Sequence, residues 1–359
     1  MLRASNNDIL SQGLRQENNF VYNAESSLNL RAAVFLIFAV FALTLAQPPL
    51  YAADKIRVGF SAISLANAPV WIAEEKNFFK KYYIETEAIV VGGGATRSVS
   101  AVIAGDLQFG STGGGAVVSA VFSGSDIAMV AAGNNKGIQR LMVKPDVSAP
   151  AALKGKRIGI TTLGSSGHLA LLLMLRKWNM VPEDVQILQV GASPVMLISL
   201  QKGGIDAAVL QDPTFFMAED MGYKTLGDPV TLDIQYLQNV LVASRAYLKT
   251  HRDVASRFMK GFVEGIAYLK RNKEDTMRIL MKKMRIEKGK ENYLERSYNL
   301  YATQYMEAAP YPSLVGTKTV LEFMVKDFPK AKSADPNSFI DNSLIKPLED
   351  SGFIKTLYQ

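Results

Sequence analysis

The stretch Gly159–Leu173, "GITTLGSSGHLALLL", passes from a strand-like apolar run through Gly, Ser and Thr into an apolar, helix-like run. A strand that gives way to a helix across small polar residues is the building unit of an α/β protein. Such a turn can cradle a phosphate, present a nucleophilic serine, or hold another small molecule at the helix start.

The same change recurs on both sides. Upstream come "IRVGF" (56–60), a helix opened by Pro69 in "PVWIAEEKNFFKKY", and strand-like "EAIVV" (87–91). A helix through "TRSVSAVIAG", strand-like "LQFGS" (107–111), a further helix and "IAMVAAG" (127–133) follow. A second set starts at "LKGKRIGITT" (153–162) and runs through the helix "LALLLMLRKW" and the strand "VQILQV" (185–190) to "IDAAVLQD" (205–212). After "NVLVAS" (239–244), Val254, Phe258, Phe262, Ile266 and Leu269 recur at helical spacing and open a largely helical C-terminal third. Thr250 and Asp253 suggest a capping box before that helix. No period of 20 to 50 residues recurs and no low-complexity linker divides the sets, so two lobes joined by short crossings are expected.

The chain has 359 residues, 48% hydrophobic and 20% charged, enough to bury a sizeable core in two lobes. Forty Lys and Arg face 33 Asp and Glu, but the basic residues are spread out. The densest group, "MKKMRIEKGK" (281–290), contains Glu287 and reads as a solvated helix face, so no nucleic-acid partner is expected. Cysteine is absent, which excludes disulfides, thiolate zinc sites, cysteine nucleophiles and a lipoprotein anchor.

Arg31 precedes the apolar run Ala32–Ala46; Pro48 and Pro49 break it, and Ala52 and Ala53 suit a signal peptidase. Fifteen helical residues span about 22 Å, short of the roughly 30 Å of a bilayer core. Residues 1–53 therefore read as a disordered extension followed by a cleaved secretory signal, with an uncleaved anchor as the alternative.

Four turns share the strand, small-residue, helix design: "SAISLANAP" (61–69), "GGGAT" (92–96), "STGGGA" (111–116) and "TTLGSSGH" (161–168). Glycine admits close backbone approach, and the first helical turn offers unpaired N–H groups with partial positive charge. Such turns bind small anions or polar solutes, and in open α/β sheets they lie beyond the carboxyl ends of the strands. Each could equally be a plain turn with a Ser or Thr helix cap.

Sharper motifs are missing. The pairs Gly155-Lys156 and Gly289-Lys290 are followed by Arg and Glu, so there is no nucleotide P-loop, and neither glycine cluster completes G-x-G-x-x-G. Ser166 falls one residue short of a nucleophile elbow. His168 and His251 make no metal motif, so neither metal nor cofactor is expected. His168, just inside a helix start, either faces the cleft or caps its solvent edge; His251 reads as a surface residue. Asp212 closes an apolar strand before Pro213, where it either meets a ligand N–H or caps the next helix.

With these motifs in order, the chain resembles the substrate-binding proteins of ABC transporters in the nitrate, sulfonate, taurine and thiamine-precursor group. The likeness covers about residues 56–272 and rests on "NAPVWIAEEKNFFKKYYIETE", "AGDLQFGSTG", "LKGKRIGITTLGSSGH", "LQKGGIDAAVLQDP" and "SRAYLKTHRDVASRFMKGFVEGIAYL". It implies a type II periplasmic-binding-protein fold, with mostly parallel sheets flanked by helices around a cleft. Lobe one would comprise residues 55–143 with 240–359 and lobe two residues 144–239, the chain crossing near Leu141–Lys154 and returning near Gln238–Ser244.

Carried over position by position, the resemblance points to Ser61, Asn67, Gly93, Gly94 and Thr112 in lobe one as ligand-binding residues. In lobe two it points to Ser165, Ser166, His168, Gln211 and Asp212. Asp212 stands where many relatives have Glu, and Asn77 and Tyr83 replace the family's usual glycines. The function implied is a monomeric periplasmic protein, not an enzyme, that closes on a small polar or anionic solute and delivers it to an ABC permease. Alternatives are a thiamine-pyrimidine or menaquinone-pathway type of enzyme on the same fold, the former using a cysteine-rich segment this chain lacks, or a periplasmic sensing module.

Overall fold

The computed structural model describes residues 53–61, 63–91, 94–163 and 165–359. The signal expected in residues 1–53 lies, except for Ala53, outside them. Ten strands occur among the described residues. In chain order they are β1 (Asp54–Phe60), β2 (Ile84–Val90), β3 (Phe109–Thr112), β4 (Ile127–Lys136) and β5 (Arg140–Val143). Then come β6 (Arg157–Ile160), β7 (Gln186–Gln189), β8 (Ala207–Leu210), β9 (Lys224–Gly227) and β10 (Gln235–Ser244).

They form two five-stranded sheets, ordered β2-β1-β3-β10-β4 and β7-β6-β8-β5-β9. The sheets are mixed, not mostly parallel: β1 pairs in parallel with β2 and β3, whereas β10 is antiparallel to β3 and β4. The second sheet repeats this, with β6 parallel to β7 and β8, and β5 antiparallel to β8 and β9. The antiparallel strands are those that carry the chain between sheets. A βα series read from sequence supplies only the parallel part.

Both crossings are short. β4 ends at Lys136 in the first sheet and β5 starts at Arg140 in the second, so the chain crosses at residues 137–139, ahead of the expected 141–154. It returns at residues 228–234, between β9 and β10, ahead of Gln238.

The sheets are internal counterparts. "RVGFSAI" (57–63) and "RIGITTL" (157–163) occupy β1 and β6 and the turns after them, at the same place in each sheet. The Arg57 amide donates to Gln108 Oε1 at 2.8 Å, and the Arg157 amide donates to Asp206 Oδ2 at 3.0 Å. The reciprocal backbone bonds run from Gln108 N to the Arg57 carbonyl and from Asp206 N to the Arg157 carbonyl.

The C-terminal third packs largely on the first sheet. In the Arg252–Arg271 helix, Phe258, Phe262, Ile266 and Leu269 are buried, as their spacing suggests, each contributing about 1.5–3 kcal/mol, whereas Val254 is only partly buried and Ala255 takes the inward position in the first turn. Phe258 stacks between Phe79 and Phe109, with ring centroids 5.0 and 4.3 Å away. At Gly265 a Cβ would sit 2.2 Å from the Pro69 carbonyl oxygen, so only glycine lets this helix meet the Ala68–Glu75 helix so closely.

Two local expectations are corrected. The run opened by Pro69 is two helices, Ala68–Glu75 and Phe78–Lys81, because Asn77 takes a left-handed φ of 59°. Tyr83, after the second, has φ 55°. These are the two positions at which the resembled family has glycine, so the backbone shape survives the loss of the residue that holds it most easily. The Thr250/Asp253 capping box does not form. Thr250 Oγ1 donates back to the Ala246 carbonyl, His251 occupies the cap, and Asp253 pairs with Arg257 at 2.8 Å.

Candidate functional site

Three of the four turns leave the carboxyl ends of the parallel neighbours β2, β1 and β3, and the fourth leaves β6. In the first sheet they are knotted by hydrogen bonds. Ser111 Oγ donates to Asn67 Oδ1 at 2.6 Å, and Asn239 Nδ2 donates to Ser111 Oγ at 3.0 Å. The Ser61 amide donates to the Ser111 carbonyl at 3.2 Å. Thr112, wholly buried, lies 3.4 Å from the Ala95 carbonyl, which draws the third turn against the helix that Gly94 opens with φ 80°. Gly93 lies outside the described residues.

In the second sheet the "GSSGH" turn caps the Ser166–Lys177 helix. Ser165 Oγ accepts from the His168 amide at 3.2 Å and donates to the Thr162 carbonyl at 2.7 Å, leaving that side chain little capacity for a ligand. Ser166 Oγ turns to the crossing and accepts from Gln139 Nε2 at 3.0 Å. Gln139 Oε1 accepts in turn from the Tyr236 hydroxyl at 2.6 Å. His168 is half-buried, and desolvation holds its imidazole below the usual histidine range, so it is neutral at pH 7.

Asp212 does not cap the next helix. Pro213 stands at that cap, and the Thr214–Asp220 helix has no side-chain cap bond. Burial pushes the Asp212 carboxyl up to about 6, partly offset by the Ser297 hydroxyl and the Arg140 charge. Arg140 is itself committed, 3.0 Å from both Glu219 and Asp228. Gln211 contributes its backbone, its amide donating to Ser193 Oγ at 3.1 Å.

Tyr301 and Tyr305, in a turn of π-helix, link these parts. The Tyr301 hydroxyl lies 3.5 Å from Ser64 Oγ, beside the first-sheet knot, and both tyrosines feel the charge of Asp212. Burial first, and neighbouring carboxylates second, hold both phenols well above the ordinary range, so they stay protonated. π-turns recur at functional sites.

Ser166 is thus tied to the crossings through Gln139 and Tyr236, Asp212 lies within the field of Arg140 just after the first crossing, and Asn67 joins Ser111 and Asn239 in the first sheet, with Thr112 buried next to Ser111. Ser165 serves the helix cap, and Ser61 and Gln211 enter through their backbones. Sequence reasoning missed Ser111, Asn239, Gln139, Tyr236 and Tyr301. The available signal was polar residues set into otherwise apolar runs, in "GNNKGIQR" (133–140) and "IQYLQNV" (234–240). The assembled chemistry is mainly neutral hydrogen-bond donors and acceptors with one partly desolvated carboxylate. No group of three or more His, Cys, Asp or Glu side chains able to hold a metal occurs among the described residues.

This architecture is the periplasmic-binding-protein fold. The chain is similar to the periplasmic aliphatic sulphonate binding protein SsuA of Escherichia coli, with a TM-score of 0.66 at 20% identity over 82% of this chain and 99% of that one. It is likewise similar to a sulfonate ABC transporter periplasmic binding protein of Methylobacillus flagellatus KT, with a TM-score of 0.68 at 16% identity over 84% and 95%. The NMT1/THI5 like family matches residues 65–276, more than half of the chain, and the chain belongs to that family. A Brucella abortus (strain 2308) protein named as a binding protein is 34% identical over 46% of this chain and 51% of its own. An ABC transporter periplasmic binding protein of Brachyspira hyodysenteriae is 35% identical over 33% and 34%. The matches thus span about half or less of these curated relatives.

Proposed function

We propose that this protein is the periplasmic solute-binding component of an ABC import system, a monomer that captures a small polar or anionic solute and passes it to a membrane permease. Sulfonates, nitrate, taurine and pyrimidine-like molecules are the candidate solutes. The observation that carries the reading is the hydrogen-bonded set Ser166–Gln139–Tyr236, which joins the second sheet's serine-glycine turn to both chain crossings, together with the polar knot Asn67–Ser111–Asn239 at the strand ends of the first sheet. A solute held there touches groups from both lobes, so it favours whichever hinge position brings them together. The names of the similar Brachyspira and Escherichia proteins support transport, and the secretory reading of residues 31–53 agrees with it. The residues assembled offer recognition and no nucleophile–base pair.

The test is a thermal-shift screen of the full chain against alkanesulfonates, taurine, nitrate, carboxylates and aminopyrimidines, with native mass spectrometry for co-purified solute. A true ligand at 100-fold excess over its Kd stabilises the folded state by about 2.7 kcal/mol. Flat melts across the panel, together with no retained solute, would sink the reading.

A further inference from the structure

Asn134 is almost wholly buried near the end of β4, with a relative exposure of 1%. Its Oδ1 accepts from the Lys136 amide at 2.8 Å, which sets the orientation of the carboxamide, since a flipped group would turn NH2 against N–H. The Nδ2 group thus left over finds no hydrogen-bond partner among the described residues. A buried, unpaired amide donor is costly and calls for a reason.

Its surroundings supply one. Asn134 is the cross-strand partner of Asn239, whose own amide holds the Ser111–Asn67 pair. The β4–β10 register shifts on both sides of Asn239, an irregularity that re-aims side chains and is enriched beside active sites. At the neighbouring Gly133 a Cβ would lie 2.4 Å from Asn239 Oδ1 and 3.0 Å from the Ala66 carbonyl. The strand is therefore pressed against the turn that carries Asn67.

We propose that Asn134 is a specificity-determining residue of the solute site, its Nδ2 group held free to donate to an acceptor atom of the solute: a carbonyl or sulfonyl oxygen, or a ring nitrogen. The proposal rests on the reading of the protein as a solute-binding protein. It explains why a donor that weakens the unliganded fold stands beside three polar side chains already paired with one another.

Asn134→Asp keeps the size of the side chain and the bond to Lys136 while removing the donor; Asn134→Ala removes both. Calorimetry with ethanesulfonate, taurine, nitrate and 4-aminopyrimidine, and apo melting curves, are compared with the wild type. The proposal expects each probe that binds wild type to bind both variants about tenfold or more weakly, the apo melting point of Asn134→Asp falling at pH 7 because its carboxylate is buried without a partner cation. Affinity within twofold of wild type in both variants, with a lower apo melting point, would make Asn134 a structural residue and overturn the proposal alone. Should the variants not fold, the wild-type Asn134 side-chain NH2 resonances decide: a shift and slowed solvent exchange on saturation support it, and unchanged resonances overturn it. Wild-type protein that binds none of the four probes and retains no solute overturns the solute-binding reading as well.

Discussion

The Tyr236 hydroxyl lies 2.6 Å from Gln139 Oε1, and both residues are buried. Gln139 belongs to the first crossing and Tyr236 to the strand that completes the second, so one hydrogen bond ties together the two places where the chain passes between sheets. Gln139 also holds Ser166, which links this staple to the helix start of the second sheet.

Tyr236→Phe should therefore lower stability by about 1–3 kcal/mol, because it leaves the Gln139 oxygen buried without that donor. Urea denaturation measures the loss. A change under half a kilocalorie would show that the hydroxyl does not hold the crossings together, since the substitution removes it from Gln238 and the Ser166 carbonyl as well.

Asp212 gives a pH dependence of definite sign. Its folded-state pKa of about 6 lies above the ordinary carboxyl value of 3.8, so the folded state binds the proton more tightly than the unfolded chain. This contribution favours folding most below pH 4 and is lost as pH rises through 6. Asp212→Asn should flatten the stability profile across that window, raise stability at pH 7 by an amount on the order of 2 kcal/mol, and weaken solute binding. Melting curves from pH 4 to 8 would show it; a variant less stable than wild type at pH 7 contradicts it.

His168 acts in the opposite direction. Its folded-state pKa is depressed by burial, so the stability it supports is present above the ordinary histidine range and fades as the pH falls through it. His168→Gln should reduce acid sensitivity as the pH falls below the ordinary histidine value of about 6.5. An unaltered slope in the same melting series would show that the imidazole is solvated.

Arg296, from a helix whose Leu294 and Tyr298 pack in one core with first-sheet residues, reaches Glu219 at 2.8 Å and Asp220 at 2.9 Å on the Thr214–Asp220 helix, and stacks over Phe216 at 4.1 Å. Arg296→Gln should cost no more than about 1 kcal/mol at low salt, since these groups are partly exposed, and less near 1 M salt. Paired denaturation curves at the two salt concentrations test this. A cost that does not fall with salt would assign the effect to the Phe216 contact.

Asn77 offers a backbone test. Its left-handed φ costs a side chain with a Cβ roughly 1–2 kcal/mol, a penalty asparagine bears better than alanine. Asn77→Ala should destabilise by about 1 kcal/mol, and Asn77→Gly should be nearly neutral. Equal melting points for the two variants would rule out backbone strain as the reason for asparagine there.

Much of the architecture was legible locally. The alternation of Ile56, Val58 and Phe60, and the helical spacing of Phe258, Phe262, Ile266 and Leu269, follow from periodicity within one element. Ser165 as the helix cap followed from a small polar residue before an apolar run. The correspondence of residues 57–63 with 157–163 was also present in the sequence, but at a spacing of 100 residues, far outside the periods of repeat proteins. The missed antiparallel strands β5 and β10 carry no signal of direction, since an apolar run reads the same whichever way its partner lies.

By itself the sequence determined where strands change to helices, which faces are apolar, and that glycine- and serine-rich turns punctuate them, because each of these depends on neighbours a few residues apart. Only the tertiary structure decided which side chains form the site. Asn67 meets Ser111 across 44 positions and Gln139 meets Tyr236 across 97, so these bonds exist only once sheet order and crossings are set. The same burial that creates them left Asn134 with an unpaired donor and raised the pKa of Asp212. Hydrogen bonding and desolvation act at a few ångströms in space, whatever the distance along the chain.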